Sequence, residues 1–101
     1  MANVLLVCGS GASSGFMAAA GRKAAKRTNS SVVFKARSDS ELEGFLEGND
    51  LLLIAPHLKY MVTDIEPEAK AHNVKIAVIP QAVYGSLDGM GLVKFAEEQL
   101  K

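Results

Sequence analysis

The sequence predicts a single α/β domain over residues 1–101, built as three layers with a four-stranded parallel sheet between helices. Apolar, β-rich runs alternate with helical patterns along the whole chain, the runs are almost continuously apolar, and no linker or internal repeat interrupts them. A chain of this length can bury about two-thirds of the surface that its unfolded form would expose. We expect the strand order 2-1-3-4, with the carboxyl ends of the strands at one edge of the sheet.

The first strand and the first helix flank a loop of small residues. The strand is expected at about Ala2–Val7, and the helix runs from Ser13 or Ser14 to Arg27. Helical spacing places one set of side chains against the sheet, namely Phe16, Met17, Ala20 and Ala24. The opposite side carries cations that should lie in solvent and that suit a helix C-terminus: Arg22, Lys23, Lys26 and Arg27.

A second strand and a short helix follow. Thr28-Asn29-Ser30 ends the first helix, and Ser31–Ala36 forms a strand with β-branched residues near its centre. Ser40-Glu41-Leu42-Glu43 has the pattern of a capping box. Apolar residues at helical spacing indicate a short helix there, with Leu42, Phe45 and Leu46 on one face. Gly48-Asn49 ends that helix.

The third strand is expected at Asp50–Ala55, where Pro56 stops it. The helical region after it contains Pro67, which cannot lie within a helix without the loss of a hydrogen bond. The simplest prediction therefore starts the regular helix near Asp64, so that Pro67 falls in the first turn. Leu58–Met61 then forms a separate turn.

The last strand and the last helix complete the pattern. Lys75–Ile79 is the fourth strand, ended by Pro80, and a loop that contains Tyr84-Gly85 follows. Asp88 then caps a helix that reaches Leu100. The inward face of this helix is expected to consist of Leu92, Val93, Ala96 and Leu100.

Composition argues against several classes of function. Lysine plus arginine equals aspartate plus glutamate, at 11 each, so no basic field indicates nucleic acid. No apolar run is long enough for a membrane span, and no signal-peptide pattern follows Met1. A lone cysteine is typical of a reducing cytoplasm, and the two histidines form no zinc pattern with it. We expect a cytoplasmic chain, not itself inserted in a membrane, with no metal, cofactor or nucleic-acid partner.

The loop after the first strand is the strongest indication of function. An apolar run ends in Cys8, and the loop leads into the helix through Gly9, Ser10, Gly11, Ala12, Ser13, Ser14 and Gly15. Glycines let the backbone approach a ligand closely, and the N–H groups at a helix N-terminus favour a dianion and a thiolate. We interpret Cys8 as a residue that carries a phosphoryl group. A lone cysteine at the end of a buried strand is nevertheless more often a small core residue.

Three motifs, in this order, resemble those of one known family. They are Leu6-Val7-Cys8-x-x-Gly11-x-Ser13-Ser14, Ala55-Pro56-His57-x-x-Tyr60 and Val83-Tyr84-Gly85-x-x-Asp88-Gly89. Over essentially its whole length the chain resembles the IIB component of the lactose/cellobiose/chitobiose type from the bacterial sugar phosphotransferase system (PTS). The resemblance implies that Cys8 accepts a phosphoryl group from a histidine of a IIA protein. It also implies transfer of that group to a sugar bound by the membrane-embedded IIC permease.

Two positions depart from the usual pattern of that family. His57 stands where the family often has glutamine, and Gly9 stands where a small polar residue is usual. A histidine in such a loop is more often a surface or hydrogen-bonding residue than a second phosphoryl acceptor.

The loops after the first, third and fourth strands should surround Cys8, since parallel strands end at one edge. Two of these loops contain Tyr60 and Tyr84. Each tyrosine could be a half-buried ring that closes its loop, which is the slightly favoured role. The other role is a wall of the phosphoryl pocket, or part of the face on which partners dock.

Other functions stay open at this point. A low-molecular-weight tyrosine phosphatase also has a cysteine before a phosphate-binding loop, but that loop ends in arginine and the first arginine here is Arg22. A small dinucleotide-binding module would explain G-x-G-x-x-G, which residues 9–14 match except at the last position. Lys35 and Arg37, rather than an acidic residue, lie near the end of the second strand. A structural or regulatory protein is the third possibility. A transient carrier of phosphoryl groups is expected to be monomeric.

Overall fold

A parallel sheet of four strands forms the centre of the computed structural model, which describes residues 2–8, 12–38 and 48–101. The strands are β1 (Ala2–Cys8), β2 (Val32–Ser38), β3 (Leu51–Ile54) and β4 (Lys75–Val78). They pair in the order β2-β1-β3-β4. The predicted fold class and strand order are therefore confirmed.

Helices cover both faces of this sheet. In chain order they are α1 (Ala12–Arg27), a 3-10 helix (Pro56–Met61), α2 (Val62–Ala71), α3 (Gln81–Gly85) and α4 (Gly89–Leu100). Within the part of the chain that the structure describes, none of them is long and apolar enough to cross a membrane.

Alternation along the strands divides the core into two clusters. Leu6 and Leu53 pack with residues of α1 and α4 on one face, whereas Leu5 and Leu52 pack with residues of α2 on the other. All four residues of β3 are buried, because the sheet is covered on both sides. Burial of one such leucine side chain stabilises the fold by about 1.5–3 kcal/mol.

The position of Phe16 differs from the prediction. Its side chain is 69% exposed, whereas Met17 and Ala18 are fully buried. Each residue turns an α-helix by about 100°. The face of α1 that packs against the sheet is centred near Met17 and Gly21, and this turns Phe16 into solvent. Ala24 is buried and the four predicted cations are exposed, as expected.

The second helix begins earlier than predicted. It starts at Val62 directly after the 3-10 helix, so Pro67 lies in its second turn rather than its first. The proline removes the hydrogen bond that would end on the carbonyl of Thr63. Thr63 is exposed, so water can satisfy that carbonyl. Ile65 and Ala69 are buried on one side of the helix, and their packing fixes where it runs.

A short helix, α3, replaces the loop that was predicted around Tyr84-Gly85. Its single turn closes when the Tyr84 N–H donates to the Pro80 carbonyl over 3.0 Å. Five residues are too few for helical periodicity to appear in the sequence. Two predicted helix signals are confirmed: Asp88 caps α4 by accepting from the Gly91 N–H at 3.0 Å, and Asn29 has a φ of 55° where α1 ends.

Two predicted segments lie outside the described residues. One is the short helix after the capping box, with Leu42, Phe45 and Leu46. The other consists of Gly9, Ser10 and Gly11 in the loop after β1.

The crossing of α1 and α4 depends on a glycine. A Cβ atom at Gly89 would collide with the carbonyl oxygen of Ala20 and would also crowd the side chain of Ala24. Both of those contacts are with α1, so the start of α4 can lie against α1 only because residue 89 has no side chain.

We expect Gly89→Ala to lower the free energy of unfolding by about 1–3 kcal/mol, because the two helices would have to separate. Gly15→Ala is the matched control in α1, where no heavy atom beyond the adjacent residues and the backbone of the helix itself lies within 4 Å of the added carbon. That change should stabilise the fold by about 0.5–1 kcal/mol. Urea unfolding of both variants measures the difference, and similar effects at the two positions would contradict the proposed crossing.

Candidate functional site

The carboxyl ends of the strands meet at one edge of the sheet, and Cys8 is the last residue of β1 there. Cys8 pairs with Ser38 of β2, and the preceding Val7 pairs with Ile54 of β3. The pairing continues past the strands, since the Ala55 N–H donates to the Val7 carbonyl over 3.1 Å. The loops after β1 and β3 therefore start side by side. We call this end of the sheet the Cys8 edge.

The fourth strand ends at the same place. Ile54 pairs with Val78, and the Ile79 N–H donates to the Ile54 carbonyl over 2.9 Å. This confirms that the loops after the first, third and fourth strands begin together.

The N-terminus of α1 begins four residues after Cys8, and Ala12, Ser13, Ser14 and Gly15 form its first turn. The first four N–H groups of a helix have no acceptor within the helix, and they carry about half a positive charge. No acidic residue lies in this first turn to neutralise them. This backbone arrangement suits a negatively charged group at the start of the helix.

His57 and Tyr84 connect the loops after β3 and β4. Their ring centroids are 5.8 Å apart, and the ring planes are inclined by 59°. His57 is exposed in the first turn of the 3-10 helix, whereas Tyr84 is half-buried and packs against both core clusters. The structure therefore brings these two predicted site residues together.

The two tyrosines differ in their surroundings. Tyr60 is 69% exposed, although its neighbour Leu58 is buried and Met61 is half-buried. Packing explains the position of Tyr84, but it does not explain Tyr60. The sequence could not distinguish Tyr60 from Tyr84, because each tyrosine follows a strand by a few residues.

Arg37, which the sequence places near the end of the second strand, lies at this edge. It pairs with Val7, one position before Cys8, and it is half-buried. Its guanidinium donates to the Ala36 carbonyl over 2.8 Å. Its place beside Val7 depends on the strand register, which starts with the pairing of Ala2 and Val32. Arg22 is held elsewhere, where its guanidinium donates to the Phe34 carbonyl over 3.0 Å.

The described residues contain no candidate metal site. Among residues 2–8, 12–38 and 48–101, no three histidine, cysteine, aspartate or glutamate side chains lie close enough together to hold a metal ion. The geometry at the Cys8 edge is suited to an anion instead.

Comparison with known proteins assigns the chain to a family. The model of the family described as "PTS system, Lactose/Cellobiose specific IIB subunit" matches residues 3–95. The chain is 34% identical over 101 residues to the PTS system lactose-specific EIICB component of Streptococcus mutans, with 98% of this chain covered. It is 25% identical over 89 residues to the oligo-beta-mannoside-specific EIIB component of Bacillus subtilis, with 88% covered. The chain spans 18% of the first relative and 86% of the second.

Solved structures agree on the fold. The lactose-specific IIB component domain from Streptococcus pneumoniae superimposes with a TM-score of 0.90 at 19% identity, covering 99% of this chain and 98% of that one. The cellobiose-specific IIB component from Borrelia burgdorferi superimposes with a TM-score of 0.76 at 25% identity, and the match covers 98% of this chain and 91% of that one. With a family model that matches nearly the whole chain, the protein belongs to the lactose/cellobiose-specific IIB family of the sugar phosphotransferase system.

Proposed function

We propose that this chain, acting as one IIB domain over residues 1–101, is a phosphoryl carrier in sugar uptake and that Cys8 holds the phosphoryl group. The observation that carries the proposal is the position of Cys8 at the end of β1, with α1 starting at Ala12. The N-terminus of α1 can stabilise negative charge by up to about 2 kcal/mol in a partly buried site. That effect favours both the attacking thiolate and the thiophosphate that it forms.

The proposed relay has two displacement steps. The Cys8 thiolate attacks the phosphorus of a IIA phosphohistidine, so that an S–P bond forms as the N–P bond breaks and the imidazole leaves. A hydroxyl of the sugar bound by IIC then attacks the same phosphorus. In that second step an O–P bond forms, the S–P bond breaks, the hydroxyl gives up its proton, and the thiolate is regenerated.

The loop chemistry fits a carrier that must release its group. Residues 9–15 contain glycine, serine and alanine only, with no cation. Their neutral donors are proposed to bind the phosphoryl group: Gly9, Ser10, Gly11, Ala12, Ser13, Ser14 and Gly15. An arginine in the loop would hold the group by two hydrogen bonds and would stabilise it against transfer. The cation-free loop and the family assignment favour relay over the phosphatase and over the dinucleotide-binding module.

Partners are proposed from the same reasoning. The lactose-specific relatives of Streptococcus mutans and Lactococcus lactis are EIICB components, which supports a IIC permease as the acceptor side. A IIA protein is the proposed donor. We propose that the chain meets both partners in the cytoplasm as a monomer, needs no cofactor, and presents its Cys8 edge to each in turn.

Three residues near the Cys8 edge receive different roles in this proposal. Tyr84 holds the loops together, because it packs on both core clusters. His57 forms a wall of the pocket against the Tyr84 ring. Tyr60 belongs to the docking face, because most of its side chain is exposed.

Cys8→Ser should reduce phosphoryl transfer to sugar to background while the fold is retained, because a hydroxyl is a far weaker nucleophile than a thiolate. A coupled assay with phosphoenolpyruvate, the general PTS proteins, IIA and IIC-containing membranes measures this. His57→Gln is the control, and it should retain transfer because it restores the residue usual in the family. Retained transfer in Cys8→Ser, together with phosphohistidine at His57, would disprove the assignment.

Tyr84→Ala should lower the free energy of unfolding by about 3 kcal/mol, because it removes a ring that packs on both core clusters. Tyr60→Ala should change it by less than about 0.5 kcal/mol. The second variant should instead raise the IIA concentration needed for half-maximal phosphorylation. Urea unfolding and a titration with phosphorylated IIA separate the two roles. A large loss of stability in Tyr60→Ala would show that its role is structural.

Direct transfer requires the sulfur and the donor histidine to come within about 3–3.5 Å before reaction, so IIA must dock on the Cys8 edge. Addition of IIA to isotope-labelled protein should shift amide NMR signals around that edge: Ser10, Ser14, His57, Tyr60 and Tyr84. Lys23, Lys26 and Arg27 lie toward the far end of α1 and should not shift. Shifts at those cations, with an unaffected edge, would refute docking at Cys8.

A further inference from the structure

Positive charge is concentrated on α1 although the formal net charge of the chain is zero. The 16 residues of α1 include no acidic residue, whereas four cations of its second half are exposed. On the opposite face, α2 carries Asp64, Glu66 and Glu68, with Lys70 as its one cation. On the same face as α1, α4 carries Lys94 together with Glu97 and Glu98, so the excess of positive charge belongs to α1 itself. An approaching anionic surface would therefore be attracted to α1.

Exposed apolar side chains lie beside those cations. Phe16, Lys23 and Arg27 follow one another at helical spacing on a single stripe of α1, about 16 Å long at 1.5 Å per residue. Phe16 is 69% exposed at one end of the stripe. Across a shallow groove of about 270 Å³ lie Leu87 and Met90, each 45% exposed. We call these five residues the α1 patch.

Leu87 adopts a conformation that folding alone does not explain. Its φ is +53°, in the left-handed region that glycine or asparagine normally occupies where a helix ends. The hydrogen bonds are those of a regular helix end: the Leu87 N–H donates to Tyr84 and the Asp88 N–H donates to Val83. A leucine here is strained, and nearly half of its side chain is exposed. An unfavourable backbone holds an apolar group at the surface, which points to a binding role.

We propose that the α1 patch docks on the surface of a membrane that contains anionic lipids. Lys23 and Arg27 would contact lipid phosphates, and Phe16, Leu87 and Met90 would enter the boundary between headgroups and acyl chains. Neither cation has a hydrogen-bond or ion-pair partner among the described residues, and Asp88, which lines the same groove, accepts from the Gly91 N–H instead. A bilayer requires only mobile cations beside protruding apolar groups, whereas a protein partner requires a matching shape.

This inference goes beyond the phosphoryl relay and does not depend on it. The stripe begins near the N-terminus of α1 and runs away from the Cys8 edge. Tyr60 lies on the 3-10 helix, which packs with α2 on the opposite face, so a chain that lies on a bilayer through the α1 patch would leave Tyr60 uncovered. Docking on lipid and docking on a partner can therefore occur together.

Co-sedimentation with lipid vesicles tests the charge requirement. The full chain should bind vesicles of phosphatidylcholine and phosphatidylglycerol in equal parts, more weakly as salt is added, and should not bind phosphatidylcholine alone. Lys23→Gln/Arg27→Gln should lower the partition coefficient by roughly fivefold for each charge removed. Lys59→Gln/Lys70→Gln removes the same charge outside the patch and should have little effect. No binding to the anionic vesicles, or equal losses in both double variants, would overturn the proposal.

Leu87→Gly tests the apolar requirement without a loss of folding, since glycine suits the positive φ. This variant should keep or raise the unfolding midpoint and yet bind anionic vesicles roughly three to ten times more weakly. Met90→Ser should weaken binding in the same direction. Unchanged vesicle binding in both variants would show that the apolar side chains do not contribute and that the chain is adsorbed only through its charge. That result would overturn the proposal. Equally tight binding to polyglutamate, also unaffected by Leu87→Gly, would indicate an acidic protein surface instead and would overturn it too.

Discussion

Parallel pairing of four strands is the constraint on which the rest of the structure depends. Because all strands point the same way, every loop that follows a strand starts at one edge, and every connection must cross back over a face of the sheet. Val7 pairs with Ile54, and Ile54 pairs with Val78, so the ends of β1, β3 and β4 lie side by side. Residues that are almost eighty positions apart along the chain, such as Cys8 and Tyr84, are thereby directed to one region.

The same constraint places the residues that stabilise the fold and the residues of the proposed site in different parts of the molecule. Buried leucines of β1 and β3 and the helices on both faces supply stability, and Tyr84 connects that core to the edge. Residues 9–15 contain no cation, so the proposed phosphoryl group is met by backbone N–H groups at the start of α1, while the guanidinium of Arg37 in β2 donates to the Ala36 carbonyl. In the proposed carrier, a stable scaffold holds a weakly stabilised phosphoryl group, which suits a protein that must accept and release it in every cycle.

Much of the fold could be predicted because apolar strand-like runs alternate clearly with segments of helical spacing along the chain. Strand order, the Asp88 cap and the end of α1 at Asn29 follow from apolar runs and turn residues. The orientation of Phe16 could not be predicted, because rotation of α1 by one residue is decided by packing against α4 and the sheet. The cysteine loop was recognisable from its residues, whereas the place of Arg37 beside Val7 required the strand register. The place of Leu87 beside Lys23 and Arg27 likewise depends on how the segment before α4 packs against α1.

The central claim is that the chain both accepts and returns a phosphoryl group, and intact mass spectrometry tests it most directly. After incubation with phosphoenolpyruvate, the general PTS proteins and IIA, the mass of the chain should rise by one phosphoryl group, located at Cys8 by fragmentation. Removal of phosphoenolpyruvate and addition of excess unphosphorylated IIA should return the mass to its starting value and produce phosphorylated IIA. A chain that gains no phosphoryl group, or that loses the group only to water, would contradict the account.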